Sequence, residues 1–464
     1  MEDIPQSLKQ RLHRYGQEHV LAGWDSLSDS ERRALLAQLE AIDFDLLHQL
    51  FTQQGQTFHL PDPERITPLP RVTLDPSDLH LRRRGEEALR RGEVAVLIVA
   101  GGQGSRLGFV LPKGMFPIGP VSQKTLFQVH AEKVLALRRR YGAAIPLLIM
   151  TSPATDDTTR AFFADQRFFG LPPSDVFFFC QGTMPALDIA TGRLLLEKPG
   201  RIFTSPDGHG GTLAALRASG LLHRLRDDGI RHVFYFQVDN PLVRVADPLF
   251  LGHHLAQRAE VSSKVVAKNG PTDTLGNFLL VDGRCTIIEY SDLPETLARQ
   301  TDAQGRLRLW AGNPAIHIFD LDFLERMSQE AANLPFHVAR KKVPCLDASG
   351  QWMEPTTENA LKFERFIFDV LPRAERWTAV ETTRATEFVP LKRETGPESP
   401  PAVQQALSNL FGGWLKEAGV AVPRRPDGDV AVPVEISPLF ALDADELRAK
   451  LPRWLTVEGA LYLE

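Results

Sequence analysis

Three short segments of the 464-residue sequence carry residue types that handle phosphate esters. The first is AGGQGSRLG at 100–108, followed by PKG at 112–114. Gly101, Gly102 and Gly104 lack the side chains that would stop a loop from turning its N–H groups onto phosphate oxygens, and Arg106 and Lys113 supply the positive charge those oxygens need. The second, FQVDN, closes a strongly apolar run on Asp239. A carboxylate there can hold Mg²⁺ against a nucleotide phosphate, because hard cations take oxygen ligands and keep several waters. The third is SPDGHGG at 205–211, where Gly208 and its neighbours suit close approach of backbone to ligand, and Asp207 and His209 offer hydrogen bonds. Taken alone, this last segment is only a turn.

Competing chemistries lack their residues. A dinucleotide fingerprint begun at Gly102 needs glycine where Leu107 stands, and a nucleotide P-loop needs Ser or Thr after Lys113 where Gly114 stands. The histidines show no H-E-x-x-H or other metal spacing; His253 and His254 are adjacent and read as part of a surface helix. Arg138–Arg140 reads as a solvated helix end, without the interleaved aromatics of a nucleic-acid surface. A formal charge of -5 also argues against a nucleic-acid partner. Three cysteines without a C-x-x-C indicate neither a disulfide framework nor structural zinc, and the N-terminal residues have no charged-then-apolar leader. The expectation is a cytoplasmic protein with no membrane partner.

The elements that must position these residues follow from periodicity. VAVLIVA at 94–100 is continuously apolar and partly β-branched, as in a strand covered on both faces, and it runs directly into the glycine loop. PLLIM at 146–150, DVFFF at 175–179 and HVFYFQV at 232–238 read as further strands, with helix-length segments such as 125–140 between them. This α/β alternation predicts a doubly wound sheet. SSKVVAK at 262–268 and AGNPAIHIF at 311–319 read as later strands, the second leading into an amphipathic stretch at 321–327. The composition, 43% apolar and 24% charged, is ordinary globular usage. Three stretches are expected: an N-terminal helical domain over 1–92, with a short helix at 78–91, a catalytic α/β domain over 93–378, and a small C-terminal domain over 379–464. GPESPPA at 396–402 and PRRPDGD at 423–429 read as breakers in the last.

Together with FCQGTMPA, QVDNPLVRVADP, AKNGPTDTLGN, EYSDL and EISPL, these segments resemble the eukaryotic-type UDP-sugar pyrophosphorylases, most of all the UDP-N-acetylhexosamine branch. The resemblance runs from about Val94 to Arg393 and resumes near Glu435. It implies a central Rossmann-like mixed sheet of the GT-A-like nucleotidyltransferase kind, and a Mg²⁺-dependent enzyme joining UTP to a sugar 1-phosphate with release of pyrophosphate. By the same resemblance Gly101, Gly102, Gly104, Arg106 and Lys113 serve the nucleotide phosphates, Gln181 and Gly208 the nucleotide, and Asp239 the metal. Gly276, Glu289 and Asn313 match sugar-recognition positions, Lys392 a sugar-phosphate cation, and Lys362 a lysine near the site. Lys392 lies past the expected domain boundary, so its segment is expected to approach the centre when substrates bind.

Ser105 replaces the usual threonine of the acetylhexosamine pattern and keeps its hydroxyl, and two further residues depart more consequentially. His209 stands where that branch has asparagine and the glucose branch has histidine, and Asn277 replaces a small apolar residue. Both are expected to narrow an acetyl pocket and to satisfy a glucose hydroxyl. UDP-N-acetylglucosamine is therefore the first expected product, UDP-glucose the alternative, and a noncatalytic nucleotide-sugar-binding protein the remaining one.

Overall fold

The computed structural model describes residues 4–53, 60–347, 349–452 and 455–464. The start of the leader reading at 1–3 and part of the expected 1–92 stretch, 54–59, lie outside the described residues. The chain forms two compact units, each discontinuous in sequence: Met1–Leu60 with Gln181–Thr212 and Ala332–Asp369, and Pro61–Cys180 with Leu213–Ala331 and Val370–Glu464.

The first unit is built on helices α1 (Gln6–Arg14), α2 (Asp29–Ala41) and α3 (Phe44–Thr52). Ser28 caps α2 in a capping box with Glu31, and the Asp43 side chain accepts from the Leu46 N–H at the start of α3. Their apolar faces, including Leu12, Leu35, Leu39 and Leu47, share one core with Leu187, Leu361 and Phe363. The last three come from a small antiparallel sheet in which Ala360–Glu364 pairs with both His337–Lys341 and Leu187–Asp188.

The second unit holds a ten-stranded sheet. Its strands are β1 (Ile66–Pro68), β2 (Val94–Val99), β3 (Leu147–Thr151), β4 (Val176–Cys180), β5 (His232–Gln237), β6 (Val261–Ala267), β7 (Asn277–Val281), β8 (Arg284–Ile288), β9 (Ala311–Asp320) and β10 (Trp377–Thr382). The main order is β1-β7-β9-β5-β2-β3-β4, with β8 beside β7, and β6 between β9 and β10. Strands β5, β2, β3 and β4 are parallel, as the alternating pattern predicts, whereas β9 runs antiparallel to β5 and β6. The sheet is therefore mixed. Helix α4 (Leu79–Arg90) crosses α5 (Leu126–Tyr141) and packs tightly on α6 (Pro248–Gln257). Gly85 and Gly252 make the second crossing possible: a Cβ on Gly85 would lie 1.9 Å from the Pro248 carbonyl oxygen, and one on Gly252 would lie 1.8 Å from that of Leu81.

This close packing shows why the expected boundaries differ from the observed units. Helix α4 belongs with the sheet and not with the N-terminal helices, and a cut at 378/379 would pass through β10, which pairs in parallel with β6. The segment GPESPPA turns over 396–399, as expected, and its prolines then open helix α7 (Pro400–Glu417), because proline at the first helical positions gives up an N–H that has no partner there anyway. His253 and His254 lie on a packed helix, not a surface one: His253 meets the Thr378 hydroxyl at 3.0 Å and His254 meets that of Ser262 at 2.7 Å. Only Arg139 of the 138–140 run is exposed, since Arg138 pairs with Asp175 and Arg140 with Asp443, each at 2.7 Å. The three cysteines are free, and no helix among the described residues is long and apolar enough to cross a membrane.

Candidate active site

Parallel pairing of β2 and β5 brings the two phosphate-type segments of the second unit to one rim. Val99 is in register with Gln237, and the Val238 N–H continues the ladder onto the Val99 carbonyl at 3.0 Å. The loop after β2 and the turn after β5 thus leave the sheet side by side at its carboxyl edge, where open α/β sheets bind ligands. The loop is closed by its own backbone. Lys113 N–H donates to the Gly102 carbonyl and Gly104 N–H to that of Leu111, both at 3.0 Å, while the Ser152 hydroxyl holds the Gly101 carbonyl at 2.8 Å. This closure returns Lys113 to the strand end, where its Nζ lies 3.2 Å from Asp239 Oδ2. Both side chains keep some solvent contact, 19% and 11% exposed. Arg106 is exposed on the turn Ser105–Leu107.

The glycines of this loop do different things. A Cβ at Gly102 would meet open space, whereas one at Gly104 would lie 2.7 Å from the Phe109 ring. Gly104 therefore serves the folding of the loop itself. Among the described residues no three His, Cys, Asp or Glu side chains gather into a metal cage. The donor set, one carboxylate beside a lysine, fits a Mg²⁺ that takes its other ligands from substrate phosphates and water, and no ion needing a full protein shell.

Lys392 belongs to the same rim. The Leu391 N–H donates to the Asp239 carbonyl at 2.8 Å, and Lys392 Nζ lies 3.7 Å from Glu398 Oε1. Its segment is part of the sheet unit and is bonded to the Asp239 turn. Gly276, Glu289 and Asn313 also converge: Asn313 N–H donates to the Gly276 carbonyl at 3.0 Å, and a Cβ on Gly276 would lie 3.0 Å from Glu289 Oε1. Asn313 sits where the β6–β9 ladder is interrupted, between the pairs Lys264↔Ile316 and Val266↔Gly312, next to Ala315 in the left-handed region at φ 56°. Such bulges re-aim side chains and recur at functional sites.

Asn277 corrects an expectation. It is buried, its Oδ1 accepts from the Lys268 ammonium and its Nδ2 donates to the Ile288 carbonyl at 3.1 Å. Its amide is spent inside the sheet and is no partner for a sugar hydroxyl.

Gln181, Gly208, His209 and Lys362 are carried by the first unit. Gln181 is buried, and Lys362 is half-buried opposite Ala339. Gly208 and Gly210 of SPDGHGG pack against the chain's own backbone. Gly208 has φ 86°, and a Cβ there would lie 2.4 Å from the Arg365 carbonyl oxygen, which in turn accepts from the Gly210 N–H at 2.8 Å. His209 stacks on Phe366 with ring centroids 5.1 Å apart, and its Nδ1 accepts from the Ile367 N–H at 3.1 Å. Burial, with a smaller contribution from His337, pushes its pKa down to about 4. The ring is neutral with its proton on Nε2, leaving one N–H to offer. Asp207 lies against Gly182 and Gly211; burial raises its pKa to about 6, against the opposing pull of Arg365.

Sequence reasoning missed the support of the rim. Lys264, Glu387 and Asp247 form a buried charge cluster, with Lys264 Nζ 2.6 Å from Glu387 Oε1 and 3.0 Å from Asp247 Oδ2. Burial works against the Asp247 charge, yet Arg244 and Lys264 hold its carboxyl well below the usual range. The available signal was Lys264 itself, a lone charge in an otherwise uncharged, β-branched strand.

The family described as UTP–glucose-1-phosphate uridylyltransferase matches residues 43–396. UDP-N-acetylglucosamine pyrophosphorylase of Saccharomyces cerevisiae is 35% identical over 89% of this chain and 92% of its own length. UDP-N-acetylhexosamine pyrophosphorylase-like protein 1 of Homo sapiens is 35% identical over 96% and 94%. Among solved structures, the UDP-N-acetylglucosamine pyrophosphorylase of Trypanosoma brucei in complex with inhibitor has a TM-score of 0.81 at 28% identity, covering 100% of this chain and 99% of that one. UDP-glucose pyrophosphorylases of Leishmania major share the fold, with a TM-score of 0.62 at 18% identity.

Proposed function

The chain belongs to the UTP–glucose-1-phosphate uridylyltransferase family and is an enzyme of the UDP-sugar pyrophosphorylase kind, and from that premise we propose that it makes UDP-N-acetylglucosamine and pyrophosphate from UTP and N-acetylglucosamine 1-phosphate in the cytoplasm, with Mg²⁺. An oxygen of the sugar phosphate attacks the α-phosphorus of UTP; the new P–O bond forms as the bond to the β-phosphate oxygen breaks, and pyrophosphate leaves. The nucleophile is already an anion, so no general base is required, and the barrier lies in bringing two anions together. Arg106 and Lys113 offset the charge of UTP, and Lys392 orients the attacking phosphate. Mg²⁺, when bound at Asp239, supplies Lewis-acid charge to the triphosphate. Gln181 and Gly208 serve the nucleotide, Gly276, Glu289, Asn313 and the Nε2–H of His209 the sugar, and Lys362 stands as a further phosphate-side cation.

The observation that supports this reading is the rim itself: a lysine 3.2 Å from an aspartate whose own carbonyl is bonded to the residue preceding a second lysine. The test is pyrophosphate release from UTP with glucose, N-acetylglucosamine, galactose and N-acetylgalactosamine 1-phosphates, with and without a chelator. N-acetylglucosamine 1-phosphate is expected to give the highest kcat/KM, UTP to outperform ATP, CTP and GTP, and the chelator to abolish turnover. Activity that survives chelation removes Mg²⁺ from the scheme. Glucose 1-phosphate is the second reading, favoured by His209; Asn277 no longer supports it.

A further inference from the structure

Asp239 and Lys392 come from segments far apart in sequence, and one side chain stitches those segments together. We propose that Asn240 is a positioning residue that fixes the distance between the Asp239 carboxylate and the Lys392 ammonium, an inference that rests on the roles given to those two residues above. Asn240 is 2% exposed. Its Nδ2 donates to the Glu387 carbonyl at 2.7 Å and its Oδ1 accepts from the Val389 N–H at 3.3 Å, while the Leu391 N–H donates to the Asp239 carbonyl at 2.8 Å. Residues 387, 389 and 391 are alternate positions of one stretch, and all three bond to 239–240. A carboxamide presents a donor and an acceptor side by side, as a peptide unit does, so Asn240 supplies rungs of a ladder just where β5 has ended.

Both ends of this stitch are anchored. Glu387 accepts from Lys264 Nζ through both oxygens, at 2.6 and 2.8 Å, and from the Thr382 hydroxyl at 2.6 Å. Lys264 and Glu387 side chains are each 3% exposed, and a buried charge that shifts away from its partner is left uncompensated. The Glu387 carbonyl is therefore a fixed point. On the other side His130 Nε2 donates to the Val238 carbonyl at 2.9 Å, and Lys133 donates to the carbonyls of Pro241 and Val243, so the chain flanking Asp239–Asn240 is held by α5. Between these supports, the carboxamide of Asn240 sets how far the Lys392 segment stands from Asp239. In-line transfer between two anions is sensitive to such spacing, since a misplacement near 1 Å can cost about 10²-fold.

The test is a double-mutant cycle in the full-length enzyme, reading initial rates of pyrophosphate release. Asn240→Asp keeps the shape and the acceptor but loses the donor, and Asn240→Ala loses both. Each is expected to lower kcat/KM for the sugar 1-phosphate about tenfold or more with the KM for UTP within about twofold of the parent, and Asn240→Asp placed on Lys392→Ala is expected to cost less than about twofold further. A role in stability alone removes active protein, so it lowers kcat for both substrates together, leaves both KM values and multiplies with Lys392→Ala; that outcome overturns the proposal. If Asn240→Asp does not fold, Asn240→Ser, whose hydroxyl can meet one of the two partners, enters the same cycle. Lys392→Ala with parent kinetics would sink the clamp reading and the proposal with it. An impaired Lys392→Ala beside unimpaired Asn240 variants sinks the positioning role alone.

Discussion

The loop at 100–114 and the loop at 205–211 look alike in sequence, both glycine-rich and both carrying polar residues, yet the structure uses them in opposite ways. In the first, Gly102 faces open space, and Lys113 and Asp239 form an ion pair with access to solvent. In the second, Gly208 and Gly210 press against the backbone of Arg365, His209 is stacked and neutral, and burial raises the pKa of Asp207. Gly102 thus leaves open space in one loop, whereas Gly208 and Gly210 make room for the chain's own backbone in the other. What separates the two is burial: the ion pair of the first loop keeps solvent contact, whereas burial in the second works against the charged forms of His209 and Asp207.

The comparison is broken most sharply at the charged rim. Asp239→Asn is expected to lower turnover by ~10²-fold or more, and Lys113→Met and Arg106→Met by a similar factor in kcat/KM, because each removes charge that acts on the transferring phosphoryl group. Stability should scarcely change, since an ion pair with solvent access contributes only about 0–1 kcal/mol. Pyrophosphate-release kinetics and denaturant unfolding on the same preparations decide the point; retained turnover in Asp239→Asn at ordinary Mg²⁺ would remove it from the metal site.

A glycine exchange is expected to separate the loops in the opposite sense. Gly208→Ala places a methyl group 2.4 Å from the Arg365 carbonyl oxygen at φ 86°, and the strain should destabilise the protein by roughly 1–3 kcal/mol. Gly102→Ala meets no neighbour and should stay within about 0.5 kcal/mol of the parent while lowering kcat/KM for UTP about tenfold, since the methyl group occupies the approach to the loop's N–H groups. Unfolding midpoints and UTP titrations of the two variants test both halves; a stable Gly208→Ala, or a destabilised Gly102→Ala, erases the distinction.

How much of this was legible depended on range. The strands β2, β3, β4 and β5 could be read because a strand covered on both faces is continuously apolar, and that alone set Asp239 at the end of β5 and the glycine loop at the end of β2. That these two ends are neighbours followed only from the α/β pattern. The antiparallel pairing of β9 and the capture of β1 by β7 left no local mark, because partners from Tyr235↔His317 to Ile66↔Val281 are separated by whole elements of chain and share no sequence pattern. The two interleaved units escaped notice for the same reason. Asn240 and Glu387 were invisible as a pair: each is an ordinary polar residue until the fold aligns 387–391 with 239–240.

The smallest expected effect concerns His209, and it is read in stability against pH. The unfolded histidine titrates near pH 6.5, and the folded one at about 4, so between these values the unfolded state binds more protons and folding becomes more favourable as pH rises. Asp207, two residues away, works in reverse: its folded pKa of about 6 lies above the ordinary 3.8, so the folded state holds the extra proton and stability falls as pH rises through that window. In the parent the two slopes oppose each other between about pH 4 and 6. Removing one side chain should therefore expose the other. His209→Asn, measured as a difference from the parent by denaturant unfolding at several pH values, is expected to lose ground steadily from pH 4 to 6.5, by a total of roughly 2–3 kcal/mol, and to show no further change above that. Asp207→Asn should gain ground over pH 4 to 6. The same His209→Asn protein, assayed near neutrality where the ring is uncharged in both states, should shift the ratio of kcat/KM values toward N-acetylglucosamine 1-phosphate by a few-fold only, because a single neutral N–H is lost. A difference curve flat from pH 4 to 6.5 would mean that the ring is solvated and free to protonate in the folded chain, and the loop at 205–211 would then belong with the charged rim and not opposite it.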